Sequence, residues 1–139
     1  MMQENNSSNK AIIILRWFSF LPLAFLGSWL AWFLVNILGR ISLGYTGFDP
    51  ESFVGQLYFN TAGHLAMGAA FVYTGARIAP YHKKTIAMLL GFLGLVIGGI
   101  LLFPLLMSKS GWGIWGAICI IIGISILVLY VYKGEIELN

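Results

Sequence analysis

The sequence predicts an all-α integral membrane protein, a compact bundle of four transmembrane helices with both termini in the cytoplasm. Only 9% of the 139 residues are charged and 59% are hydrophobic, with a mean hydropathy of +0.87, whereas charged residues make up roughly 25% of a soluble domain. The apolar residues fall into four runs, each near the roughly 20 residues that cross a bilayer core as a helix. The lysines and arginines stand at the ends of these runs and divide unevenly between the two sides. Lipid is therefore the expected solvent for most of the chain.

The first span is expected at about 17–38, after a short polar tail over residues 1–10. Its apolar run is longer than the roughly 7 to 15 residues of a signal-peptide core, and no small-x-small cleavage site follows, so a retained anchor is expected. The second span covers about 53–79. In the preceding FDPESF, Asp49 is expected to cap free amides, Pro50 to take the first helical position and Glu51 to complement the positive end of the helix dipole. At the far end Arg77 reaches the headgroups and Pro80 stops the helix. The third span covers about 85–107 and the fourth about 112–132, followed by a short tail over 133–139. A loop at 39–52 and the short turns PYHKK and SKSG connect the spans, so residues 1–139 form a single transmembrane domain.

Orientation follows from charge. With both termini inside, Lys10, Arg16, Arg77, Lys83, Lys84 and Lys133 are cytoplasmic and only Arg40 and Lys109 lie outside, the bias of the positive-inside rule. Arg77, Lys83 and Lys84 then form a cytoplasmic basic turn. The expected location is the cell inner (plasma) membrane. The basic residues are scattered over segment ends and gather on no single face, so nucleic acid is not an expected partner.

Within the second span, QLYFNTAGHLAMG places Gln56, Asn60 and His64 at every fourth position. Residues four apart differ by about 40° around a helix, so the three side chains form one drifting stripe. His64 lies about 16 Å along the helix from Phe53, near the bilayer midplane. An unpaired polar side chain in hydrocarbon costs several kcal/mol, so the stripe is expected to face another helix or a wet cavity, with Asn36 of the first span as a partner at the depth of Gln56. Two readings follow: a polar seam between helices, or a pathway residue set for a solute.

Small residues mark a second theme. Ala62, Ala66 and Ala70 recur every fourth residue on a face about 120° from the polar one, and Gly91, Gly94 and Gly98 share a face of the third span. The fourth span offers Gly116, Cys119 and Gly123. Small-xxx-small spacing lets helix backbones approach closely, either within this chain or against a homo-oligomer or membrane-protein partner.

Catalytic chemistry finds no support. All five carboxylates (Glu4, Asp49, Glu51, Glu135 and Glu137) lie outside the spans, so no buried acid stands near His64 as a general base. The small multidrug transporters, whose four-helix chains depend on a membrane-embedded glutamate, are disfavoured for the same reason. His64 and His82 are about 27 Å apart along a helix, too far to share a haem within one chain. A single cysteine, Cys119, permits no intrachain disulfide and no CxxC site. No metal or cofactor is expected.

The segment Asn60-Thr61-Ala62-Gly63 followed by Gly68 resembles the asparagine-glycine pattern of the small four-helix fluoride channels. The third span, MLLGFLGLVIGGILLF, lacks that family's phenylalanine, threonine and serine motif, and the first lacks its glycine-rich arginine segment. No assignment to that family follows. The expectation is a non-enzymatic packing or accessory subunit that associates through small-residue faces; the competing class is a channel or transporter along Gln56, Asn60 and His64.

Overall fold

A computed structural model describes residues 2–47, 49–79 and 81–136, with side chains from Lys10 onward. The described chain is all helical: α1 (Met2–Thr46), α2 (Phe53–Ile78), α3 (Lys83–Met107) and α4 (Gly111–Lys133). Three helices are long and apolar enough to cross a membrane: α1 from Lys10, α3 and α4. At 26 residues α2 has the length, but Gln56, Asn60, His64 and Arg77 hold its hydropathy below that of the other three.

This least apolar helix is also the central one. It packs against α1, α3 and α4, whereas α1 touches α2 alone. The registers show alternating directions. Gly39 meets Phe59 and Gly75 meets Ala24, so α1 and α2 are antiparallel; Gly91 meets Val128 and Gly98 meets Ile121, so α3 and α4 are antiparallel too. Thr61 pairs with Trp115 and Gly68 with Ile120, which sets α4 parallel to α2.

Helix α3 shows why lipid suits the outside. Its buried residues (Ile86, Ala87, Leu90, Gly91, Gly94 and Gly98) recur every three or four positions and form one inward stripe. The opposite side exposes Leu89, Phe92, Val96, Ile100 and Phe103, which no aqueous surface would favour as a contiguous face. The packed core of Val72, Ala76, Ala87, Leu90, Ile124 and Val131 sits in the half of the bundle that carries Arg16, Arg77 and Lys133. The other half is more open and holds the polar groups.

Two helix ends differ from the sequence expectation. Helix α1 overruns the expected 17–38 span at both ends: residues 2–10 are helical, and the helix continues through much of the expected loop to Thr46. No proline or left-handed residue interrupts the chain between Leu38 and Thr46; Gly47, at φ +72°, is the first residue to leave helical space. At the start of α2 the cap is Ser52, not Asp49. The Ser52 hydroxyl accepts from the Gly55 amide at 3.2 Å and donates to the Asp49 carbonyl at 2.6 Å, while Asp49 Oδ1 accepts from the Glu51 amide at 3.0 Å. Asp-Pro-Glu therefore forms a turn ahead of the helix rather than its first turn. A β-carbon at Gly55 would lie 2.6 Å from the Pro50 carbonyl oxygen, so this turn folds over a residue that must lack a side chain. The expected stop at Pro80 lies outside the described residues, and α2 ends at Ile78 with Arg77 in its last turn.

Candidate functional site

The stripe of α2 borders two separate cavities. Near the end of the bundle opposite Arg16, Arg77 and Lys133, Gln56 and Asn60 join Trp32, Asn36 and Arg40 of α1 and Glu51 of the connecting turn around a polar pocket of about 220 Å³. Deeper in, His64 borders a cavity of about 350 Å³ to which all four helices contribute. Phe25, Phe71, Ile97, Leu101 and Ile120 give that cavity apolar walls, and Ser28 is its other polar side chain. The backbones of α1 and α3 do not approach one another, and the cavity lies beside the gap between them.

Asn36, Gln56 and Asn60 line one pocket and His64 the other, and each bonds within its own stretch of chain. Asn36 Nδ2 donates to the Trp32 carbonyl at 2.9 Å, Gln56 Nε2 to the Glu51 carbonyl at 3.1 Å and Asn60 Nδ2 to the Gln56 carbonyl at 2.8 Å. Each amide thus turns its donor back along its own chain. Asn36 and Gln56 share a pocket without bonding to one another.

His64 obeys the same rule. Its Nδ1 lies 2.6 Å from the Asn60 carbonyl oxygen. A carbonyl can only accept, so Nδ1 is the donor of this bond, and the neutral tautomer with that proton has Nε2 as an acceptor. The ring lies over Gly116 of α4, where an added β-carbon would stand 2.9 Å from Nε2. Among the described residues, no fully buried side-chain nitrogen or oxygen lacks a hydrogen-bond partner. Nε2 has no protein partner, so it is reachable from the cavity.

Around this axis the remaining contacts hold α2 in place. Trp115 Nε1 donates to Thr61 Oγ1 at 2.9 Å, a side-chain bond between α4 and α2. Gly116 makes room for the imidazole, and Gly123 brings α4 against the Leu65 carbonyl of α2. Gly91, Gly94 and Gly98 receive Val128, Ile124 and Ile121, so these expected packing glycines serve the α3–α4 contact within the chain. Ala62, Ala66 and Ala70 are only half-buried. At about 100° per residue, Ala62 and Ala66 fall on the arc of α2 that faces away from the cavity, outside the sectors where Gly63 meets α1 and Gly68 meets α4. Cys119 is a buried free thiol.

At the opposite end the basic residues serve helix ends. Arg16 Nε donates to the Ile78 carbonyl at 3.0 Å, satisfying an open acceptor at the C-terminus of α2, and Arg77 Nη1 donates to the Tyr73 hydroxyl at 2.6 Å. Lys84 is exposed and Lys83 partly so. Arg40 and Glu51 form an ion pair at 3.8 Å that is open to solvent, and the Arg40 guanidinium also lies over the Phe59 ring; such exposed pairs contribute little to stability.

Sequence reasoning missed Ser28, Trp32, Thr61, Trp115 and the close-packed glycines Gly63 and Gly68. Thr61 and Trp115 carried no periodic signal, and Gly63 and Gly68 serve two different neighbours. No protein-family model matches the chain, and no curated protein or solved structure matches it.

Proposed function

We propose that the chain is a four-span protein of the inner (plasma) membrane with both termini in the cytoplasm, acting without catalytic chemistry as a packing or accessory subunit. The observation that carries this reading is the half-buried small-residue arc of α2 at Ala62 and Ala66. The glycine faces of α3 and α4 are consumed inside the bundle, whereas this arc leaves backbone within reach of another helix. A second copy or another membrane protein is the partner. The span assignment of α2 rests on its central position between α1, α3 and α4, which screen its polar side chains from lipid. The six-to-two division of lysine and arginine supports the orientation.

Cysteine cross-linking tests the reading. In a Cys119→Ala background, Ala62→Cys and Ala66→Cys should give cross-linked species under catalysed oxidation in native membranes. Leu89→Cys, on the outward face of α3, should give far fewer. Equal yields at the three positions would remove the case for a partner on α2.

A second reading has its own observation: Asn36, Gln56 and Asn60 line a polar pocket, and His64, one turn further along α2, borders the central cavity. A conduction role predicts solute flux in proteoliposomes that falls in both Asn60→Leu and His64→Leu. A packing subunit is silent in the same assay.

A further inference from the structure

The central cavity is a different feature from the arc of α2, and its chemistry is specific. An engineered apolar cavity of about 150 Å³ binds benzene, and drug-sized pockets begin near 300 Å³. At about 350 Å³ this one has room for an aromatic ring with a short substituent. Phe25 and Phe71, with ring centroids 5.1 Å apart, supply an aromatic wall. Ser28 Oγ already donates to the Phe25 carbonyl at 2.8 Å, which leaves His64 Nε2 as the polar feature that most clearly asks for a partner.

That partner must be a donor, because Nδ1 holds the ring proton and Nε2 accepts. It has no need of positive charge, since the carboxylates of the chain lie in its termini and in the turn before α2. Phe25 of α1 and Ile97 and Leu101 of α3 line the cavity and are also exposed on the apolar outer surface, so the natural supply is a molecule dissolved in the bilayer.

We propose that this cavity binds a membrane-soluble phenol, its ring against Phe25 and Phe71 and its hydroxyl donating to His64 Nε2. The inference does not depend on the accessory-subunit reading.

The probe pair is 4-propylphenol and its methyl ether, 4-propylanisole, which keeps the ring and chain but lacks the donor. Binding to the purified full chain in detergent is read by thermal shift and by the ¹⁵N resonances of labelled histidine. The phenol should bind about tenfold more tightly than the ether, the worth of one net hydrogen bond, and should move the Nε2 resonance of His64 while the ether does not. His64→Phe should erase the preference and retain weak binding of both. Ala117→Phe, which fills the cavity from α4, should abolish both, and Ile97→Trp should do so from the more exposed α3 wall if the first variant fails to fold. Equal affinity for phenol and ether in the wild type would mean that the cavity takes any apolar molecule, lipid tails included, and would overturn the proposal. So would binding of neither probe, or a preference that survives in His64→Phe.

Discussion

Gly68 of α2 and Ile120 of α4 stand with their backbones in contact: a β-carbon on Gly68 would collide with the Ile120 carbonyl oxygen. The same closeness recurs where Gly123 meets the Leu65 carbonyl. Backbone atoms cannot rotate aside as a side-chain tip can. Gly68→Ala should therefore separate α2 from α4 and cost about 1 to 3 kcal/mol, the usual range for overpacking. Ala66→Leu, on the open arc, should stay within about 0.5 kcal/mol of wild type in the monomer. Denaturant titration in mixed micelles, followed by helical circular dichroism, compares the two. A more damaging Ala66→Leu would place the tight contact on the alanine face.

The Trp115–Thr61 bond is a side-chain hydrogen bond that joins α4 to α2. Such bonds between membrane helices contribute about 0.6 kcal/mol on average and up to about 1.7. Thr61→Val and Trp115→Phe should each destabilise the bundle, and the double variant should cost less than the sum of the two. The coupling energy from this cycle is the measurement, and additive effects would show that the bond contributes nothing to stability.

His64→Leu should fold with little loss. The Asn60 carbonyl that accepts from Nδ1 also lies in the α-helical ladder, so removing the ring does not strand it. A loss near 2 kcal/mol or more would reveal an interhelical partner for the imidazole. Thermal unfolding beside His64→Gln gives the comparison.

Ser52→Ala should weaken the start of α2 by about 0.5 to 2 kcal/mol, because the Gly55 amide loses its acceptor. Ser52→Asp should recover most of it. Asp49→Ala should act less strongly if Ser52 is the cap, and amide exchange at residues 53–56 reads the difference directly.

For orientation, single cysteines at Ser7 and Ser42 in the Cys119→Ala background should label differently with an impermeant thiol reagent added from outside. Ser42→Cys should react and Ser7→Cys should not. The reverse pattern would invert the bundle in the membrane.

Much of this architecture was legible because composition and run length are crude, robust signals. Four apolar runs correspond to four helices, three of them long and apolar enough to cross a membrane, while Gln56 and Asn60 line one pocket and His64 another. Their bonding was not legible. An amide on a helix can reach across to a neighbour or back to its own carbonyl four residues earlier, and which it does depends on how far away the neighbour stands. Asn60 and Asn36 both turn back. Small residues misdirected for a related reason: Gly63, Gly68 and Gly75 approach different neighbours of α2, so no single four-residue repeat announces them, whereas the regular alanine series does not mark the closest contacts. The cap was a local ambiguity. Asp49 and Ser52 are both good capping residues, and the fold back over Gly55 selects the second.

The attachment of α1 along one side has a consequence for how the chain is made. It is synthesised before α2, the one helix whose backbone it approaches, so its packing must wait until α2 arrives. Helices α2, α3 and α4 touch one another pairwise and can close as a unit; α1 adds one interface to that unit and can leave by giving up the same one. A distance probe pair placed across the α1–α2 interface should consequently report an opening that leaves the three-helix remainder intact.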